Sequence, residues 1–178
     1  MTHQLEQFRD QIDQFMGHHP QSPLSSDDKL NFEGLNYYDF NPDLVVSGTV
    51  ERFAANEPLI EMQTSTGDTR RYRRWGRFEF TVEGEPASLI IYTDPYEGDL
   101  FVPFKDASNG KETYGAGRYL DSHRPSLTQL SDTEIEIDFN FAYNPFCAYS
   151  AQFSCPLPPR ENWLKVPVRA GEKNFDEA

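Results

Sequence analysis

Arginine side chains are concentrated in one short stretch of the chain, since five of its eleven arginines lie within residues 70–77. The planar guanidinium group binds carboxylate and phosphate in a bidentate manner. This stretch could therefore hold a small anionic ligand, and we select Arg74 as its candidate binding residue. The same arginines could instead form ion pairs with Glu61, Asp68 or Glu79, which are close in sequence.

The direction in which these arginines point depends on the register of the predicted strand Thr69–Val82. If the strand is regular, Arg74 and Phe78 share one face because side chains alternate along a strand. A bulge at Gly76 would instead bring Trp75 to the side of Phe78. The pattern of residues is compatible with both registers.

A second polar group lies at the end of another predicted strand, Thr133–Phe141. Its isoleucines alternate with polar residues, which places Asp138 and Asn140 on the face opposite the core. These two side chains face solvent if one side of the sheet is wet, or a ligand cavity if the interior of a barrel is polar. The following loop adds Tyr143 and Asn144, and loops at the rim of a β scaffold are favoured places for function.

A third group surrounds a Gly-x-Gly segment formed by Gly115 and Gly117. A dinucleotide-binding fingerprint requires a third glycine and a following helix. The sequence has neither, so a Rossmann site is excluded. Tyr114 and Arg118 share one parity in the predicted strand, and Arg118 is one of the few cations outside residues 70–77.

Cysteine and histidine residues are few. Cys147 and Cys155 are the only thiols, and they are not spaced as a CxxC motif. We expect them to be reduced and buried, with a disulfide or a redox pair as the alternative. A Cys147–His123 couple lacks an identifiable third group, and the adjacent His18 and His19 lack a further metal ligand. We therefore predict no metal site, and the cofactor is unknown.

The elements that position these groups change character near residue 44. Before it, the spacing of Leu5, Phe8, Ile12 and Met16 predicts an amphipathic helix, and a second short helix is predicted at 26–31, capped by Ser25 or Ser26. After it, alternating segments separated by turn residues predict β-strands. They are Leu44–Phe53, Leu59–Thr64, Thr69–Val82, Ala87–Thr93, Leu100–Phe104, Thr113–Asp121 and Thr133–Phe141.

Short hairpin connections and one apolar face predict a mainly β fold, an antiparallel barrel or barrel-like sandwich with an N-terminal amphipathic helix. The proline-rich segment from Pro156 to Pro167 should run extended across the surface as a C-terminal tail. We expect a single domain over residues 1–178, with a helical and aromatic arm at 1–43, the sheet at 44–141, and a loop and tail at 142–178.

The net charge of −13 over 178 residues argues against nucleic acid as a partner. The longest apolar runs are far shorter than the roughly 20 residues that span a bilayer, so we expect a soluble, cytoplasmic protein. The acidic balance is also typical of proteins kept soluble at high salt. The oligomeric state is open, although exposed strand edges are compatible with a dimer.

Several long motifs together resemble the family known as domain of unknown function 1684. They are Thr69–Gly76, Phe101–Ser108, Glu112–Leu120, Asp138–Asn140, Ala142–Pro145, Cys155–Pro159 and Glu161–Asn162, with His19–Pro20 and Ser22–Leu24 before them. The resemblance covers nearly the whole chain, and it implies no known activity. It draws attention to eight polar positions, which are Tyr114, Arg118, Asp138, Asn140, Tyr143, Asn144, Glu161 and Asn162.

These polar residues are compatible with a ligand site or with a buried hydrogen-bond network in which Arg118 pairs with Asp138 or Glu161. Our leading hypothesis is a small-molecule-binding β domain whose ligand, small and anionic, is held by Arg118 or the arginine-rich strand. A hydrolase that uses Asp138 and Glu161 as acid and base is the first alternative, provided that the fold brings them within roughly 10 Å. A structural or partner-binding protein without a pocket is the second.

Overall fold

The computed structural model describes residues 2–175, so that residue 1 and residues 176–178 of the expected domain lie outside the described part. Two helices precede the sheet: α1 spans Thr2–His18 and α2 spans Ser26–Leu30. The Ser25 hydroxyl accepts a hydrogen bond from the backbone N–H of Asp28 and thereby caps α2. Both predicted helices are confirmed.

The described part of the chain continues with eight antiparallel strands, which are β1 Val45–Arg52, β2 Leu59–Gln63, β3 Thr69–Val82, β4 Glu85–Thr93, β5 Leu100–Phe104, β6 Arg118–Asp121, β7 Leu127–Gln129 and β8 Glu134–Asp138. They form a nearly closed, barrel-shaped sheet in the spatial order β6-β5-β4-β3-β1-β8-β7, with β2 paired to β3. The mainly β prediction is therefore confirmed.

The structure differs from the predicted strands at three places. The predicted strand at 113–121 begins only at Arg118, because Gly117 before it adopts a positive φ of 105°. The short strand β7 was not predicted. Strand β8 ends at Asp138, and Phe139–Phe141 form a 3₁₀ turn that turns the chain away from the ladder.

The register of β3 is settled by a bulge between Arg74 and Gly76. Trp75 consequently packs against the same core as Phe78, as expected for the bulged alternative. Strand β1 passes so close to this point that a Cβ added at Gly76 would lie 2.3 Å from Val50 Cγ1. Glycine is thus required here by the approach of β1.

The main core fills the inside of the curved sheet. Its fully buried members include Phe78, Ile91, Phe104, Ile137 and Phe139. A smaller cluster of Met62, Ile90 and Tyr92 packs on the opposite face. Helix α1 closes one side, where the rings of Phe8 and Phe141 meet edge to face at 5.2 Å.

The C-terminal segment is an integral part of this core. It contains 3₁₀ turns at Phe146–Ala148 and Arg160–Asn162, and Asn162, Val168 and Ala170 are fully buried. Within the proline-rich segment 156–167, which sequence reasoning placed extended on the surface, Pro156, Pro158 and Asn162 are buried and the other residues are half-buried or exposed. Side chains of β6 bind carbonyls of the C-terminal segment, since Tyr119 donates to Pro156, and Arg118 donates to Val168 and Ala170.

Within residues 2–175, no helix is long and apolar enough to cross a membrane.

Candidate functional site

Arg118 is the largest fully buried side chain. Its Nη2 donates to Asp106 Oδ2 at 2.9 Å and to the Val168 carbonyl at 2.7 Å. Its Nη1 donates to the carbonyls of Ala170 and Glu172. The ion pair predicted with Asp138 or Glu161 therefore forms with Asp106, because the C-terminal segment enters the protein beside that carboxylate.

Glu161 pairs with the arginine-rich strand. Arg74 Nε donates to Glu161 Oε1 at 3.0 Å, and the Tyr92 hydroxyl donates to the same oxygen. Both members of the ion pair are about one-third exposed. The counter-ion of the candidate anion-binding residue Arg74 is therefore a carboxylate of the protein itself, that of Glu161.

Asn162 joins the C-terminal segment to two strands. Its Oδ1 accepts from the Ile90 N–H at 2.7 Å, and its Nδ2 donates to the carbonyls of Ile90 at 2.9 Å and Pro103 at 2.8 Å. These contacts replace strand-to-strand hydrogen bonds, since β4 and β5 diverge there. Asn162 therefore links strands β4 and β5 through hydrogen bonds from its side chain.

Asp138 and Asn140 hold the end of β8. Asp138 Oδ1 accepts from the backbone N–H and the side-chain amide of Asn140, each at 2.9 Å. Asn140 also exchanges two hydrogen bonds with the backbone of Asn41. Burial raises the pKa of Asp138 above its ordinary value, and the hydrogen bonds from Asn140 oppose that shift.

Asn144 is joined to the C-terminal segment through Glu172, a fully buried carboxyl group. The backbone N–H of Asn144 donates to Glu172 Oε1 at 3.1 Å, and its amide donates to Glu172 Oε2 at 2.9 Å. Burial raises the pKa of Glu172 to about 8. Sequence reasoning did not select Glu172.

Tyr143 contacts a different carboxylate. Its hydroxyl donates to Asp121, and the guanidinium carbon of Arg124 lies 3.5 Å from the centroid of its ring. Like Asn144 beside it, Tyr143 interacts with groups of this protein. The candidate residues other than Tyr114 thus hydrogen bond to groups of the protein itself. Arg118 and Asn144 meet at Glu172, whereas Asp138 and Glu161, the predicted acid–base pair, bind different partners.

Tyr114 belongs to a site of another kind, which contains the two cysteines. Its hydroxyl and Cys147 Sγ hydrogen bond over 3.6 Å, and Cys155 and Ser65 lie close enough to lower the pKa of Cys147. Cys147 is half-buried, whereas Cys155 is 8% exposed. We call Ser65, Tyr114, Cys147 and Cys155 the thiol cluster.

Local backbone contacts hold each member of the thiol cluster. Ser65 lies in the β2–β3 turn and pairs with Cys155, because its N–H donates to the Cys155 carbonyl at 2.9 Å and its hydroxyl accepts from the Cys155 N–H at 3.0 Å. The Tyr114 carbonyl accepts from Asn109 Nδ2 and from the Gly117 N–H. Cys147 lies in the 3₁₀ turn after Pro145.

The two thiols shift each other's pKa in opposite directions. The neighbouring Cys155, Tyr114 and Ser65 lower the pKa of Cys147 to about 6. The neighbouring Cys147, together with burial, raises the pKa of Cys155 above its ordinary value. Sequence reasoning considered a redox pair of these cysteines as an alternative, but Ser65 carried no recognisable signal.

A third group lies at the β4–β5 connection. Ligand atoms of Glu97, Asp99 and His123 all lie within 4.8 Å of one another, beside a depression of about 160 Å³ that Asp121 also lines. Such groups can hold a divalent cation. His123 Nε2 lies 3.0 Å from Asp99 Oδ2, so two of the three groups already contact each other without a metal ion. The partner of His123 is therefore Asp99, whereas sequence reasoning considered Cys147.

The sequence profile of the family described as "Protein of unknown function (DUF1684)" matches residues 30–173. The chain therefore belongs to the DUF1684 family. The predicted resemblance is confirmed, and every member of the thiol cluster lies within the DUF1684 match.

The chain is also similar in sequence and fold to a solved structure. The solution NMR structure of the uncharacterized protein from gene locus rrnAC0354 of Haloarcula marismortui is 40% identical to this DUF1684 chain, with a TM-score of 0.71. The similarity covers 96% of this chain and 92% of the other. No curated protein matches the sequence.

Proposed function

We propose that this DUF1684 protein binds a small molecule at the surface around Cys147 and reacts with it through the Cys147 sulfur. The observation that carries the proposal is the hydrogen bond between the Tyr114 hydroxyl and the half-buried sulfur of Cys147, whose atoms lie 3.6 Å apart. The two residues come from separate parts of the chain. The binding of a small ligand, expected from the sequence, is thus proposed at a place that includes only Tyr114 of the sequence candidates.

A hydrogen bond from the Tyr114 hydroxyl favours the thiolate, since it stabilises the charged form of the sulfur more than the neutral form. The thiolate is the nucleophilic form of cysteine. With a pKa of about 6, most Cys147 is ionised at neutral pH. A buried cysteine that serves only for packing needs no such donor.

An open depression of about 330 Å³ lies near Cys147 in the chain. Its lining includes Tyr149, Ser150 and Phe153, which follow Cys147, while the thiol cluster itself lies outside the lining. A volume of this size lies within the range of small-molecule sites. We propose that the reactive partner is a small electrophile that approaches Cys147 from this side.

An anionic ligand receives less support than the sequence suggested. Arg74 is paired with Glu161, Arg70 donates to the Ser154 carbonyl, and Arg73 donates to the Glu57 carbonyl. The net charge of −13 also disfavours the approach of anions. An uncharged electrophile fits these observations better.

The proposal is tested by alkylation of the folded, full-length protein with iodoacetamide at pH 7, followed by peptide mapping. Because about 90% of a thiol with this pKa is ionised, against about 3% of an ordinary thiol, we expect Cys147 to be modified at least about 10-fold faster than Cys155. Cys155→Ser should retain fast labelling, whereas Cys147→Ser should lose it. Equal and slow labelling of both thiols would overturn the proposal.

A further inference from the structure

We propose that Glu97, Asp99 and His123 form a binding site for a zinc ion at the rim of the sheet. This inference is independent of the Cys147 chemistry proposed above. Glu97 and Asp99 come from the β4–β5 connection and His123 from the turn after β6, and one ligand atom of each side chain lies within 4.8 Å of the other two. The sequence analysis predicted no metal site, because the fold, and not a motif, brings His123 to Asp99.

The spacing of the ligand atoms fits a zinc ion. Zn²⁺ binds imidazole nitrogen and carboxylate oxygen at about 2.0–2.2 Å in a tetrahedral arrangement, so that two of its ligand atoms lie about 3.4 Å apart. His123 Nε2 and Asp99 Oδ2 lie 3.0 Å apart, and both side chains reach solvent. Glu97 is exposed, so its carboxylate can move the remaining distance without any change in the core.

The two loops that carry the ligands are joined to each other by backbone hydrogen bonds. The Leu100 N–H donates to the Ser122 hydroxyl at 3.0 Å, and the Ser122 N–H donates to the Leu100 carbonyl at 3.0 Å. Asp121, which is 7% exposed, fixes the next residue along, since its Oδ1 accepts from the His123 N–H at 2.9 Å. The position of His123 beside the β4–β5 connection is thus set by the fold, and a cation needs little reorganisation to bind there.

The charge around the site also favours a cation. Four carboxyl groups line the depression of about 160 Å³ beside the three ligands, those of Asp94, Glu97, Asp99 and Asp121, and the lining that the structure describes contains no lysine or arginine. Glu97 is in none of the ion pairs that residues 2–175 form. Carboxylates this close repel one another, and a bound dication removes that repulsion. The Asp99–His123 ion pair offsets only one of the four charges, and only while His123 is protonated.

The mixed set of ligands favours zinc over calcium or magnesium. Calcium and magnesium are held by oxygen ligands, whereas the imidazole nitrogen of His123 suits zinc. Three protein ligands leave a fourth zinc position to a water molecule, as in catalytic zinc sites. The depression beside the ligands has room for that water.

The test is isothermal titration calorimetry of the folded, full-length protein with zinc chloride. We expect the wild type to bind zinc at this site, and His123→Ala and Glu97→Ala each to weaken that binding by at least about 10-fold, the loss that even outer partners of a zinc site produce. His18→Ala is the matched control, since His18 is an exposed histidine of α1, and it should bind zinc as the wild type does. Cys147→Ser should also bind as the wild type does.

Absence of zinc binding by the wild type would overturn the inference, and so would an affinity that His123→Ala leaves unchanged. Binding that is lost in Cys147→Ser and kept in His123→Ala would place the zinc ion on the thiols, which also overturns it. NMR of the wild type decides the question even if a substitution prevents folding: zinc should shift the ring resonances of His123, and shifts of His18 and His19 alone would contradict the site. Labelling of Cys147 by iodoacetamide is a separate measurement, so the proposed function and the zinc site can fail independently.

Discussion

At the scale of single residues, Arg118 shows how charge is handled inside this protein. Its guanidinium group is fully buried, and its counter-ion is the equally buried carboxylate of Asp106. Arg118 also donates to three carbonyls of the C-terminal segment. Arg118 is one of the eight polar positions that the family resemblance singled out, and its role in this structure is to attach the C-terminal segment to the sheet.

Replacement of Arg118 by alanine should destabilise the protein strongly, because Asp106 would become a buried charge without its partner. We expect a loss of about 3–5 kcal/mol in the free energy of unfolding, measured by urea denaturation. Arg71→Ala is the matched control, since Arg71 is mostly exposed and lies 4.0 Å from Glu61. It should change stability by less than about 0.5 kcal/mol. Similar losses in both variants would contradict the structural role of Arg118.

Glu172 should make stability depend on pH. Its pKa in the folded protein is about 8, above the ordinary value of 4.5. As pH rises from about 4.5 to 8, the unfolded chain releases this proton while the folded protein retains it, so stability falls within that window and is unaffected below it. The fall contributed by Glu172 is at most about 1.4 kcal/mol per pH unit.

Glu172→Gln removes the titrating group and keeps an oxygen that can accept from Asn144. The urea midpoint of this variant should fall less than that of the wild type between pH 5 and pH 8. If the urea midpoints of the two proteins depend on pH in the same way, Glu172 is ionised in the folded protein, which would contradict its raised pKa.

At the scale of elements, the bulge in β3 links the arginine-rich strand to the core. It reverses the alternation between Arg74 and Gly76, so that Trp75 faces the core while Arg74 meets Glu161 on the other side. Hydrophobic alternation predicted the bounds of β3 correctly, but the choice of register depended on the close passage of β1, which is a tertiary contact.

Gly76→Ala should destabilise the sheet, because the added methyl group would lie 2.3 Å from Val50 Cγ1. We expect a cost of about 1–3 kcal/mol, as for other overpacked sites, measured from the thermal or urea transition. Gly115→Ala is the control, since the nearest atom to its added Cβ lies at 3.8 Å. A Gly76→Ala variant with the same free energy of unfolding as the wild type would show that β1 can move away from residue 76 at no cost in stability.

At the scale of the whole molecule, local patterns predicted the helices, most strands and the barrel-like closure. They did not predict the course of the C-terminal segment, which is held by side chains such as Arg118 and Asn162 rather than by a repeating pattern. Sequence reasoning selected Tyr114 and considered the two cysteines as a pair, but it did not predict that Tyr114 meets Cys147. These two residues are 33 positions apart in the chain, and a tertiary contact brings them together.

The pH dependence of Cys147 alkylation tests the central claim most directly. The rate of iodoacetamide modification of Cys147, measured by peptide mapping from pH 5 to pH 9, should reach half its maximum near pH 6 in the wild type. Tyr114→Phe, which removes the hydroxyl 3.6 Å from Cys147 Sγ, should shift the midpoint upward. A wild-type midpoint near the free-thiol value of about 8.5 would contradict the account.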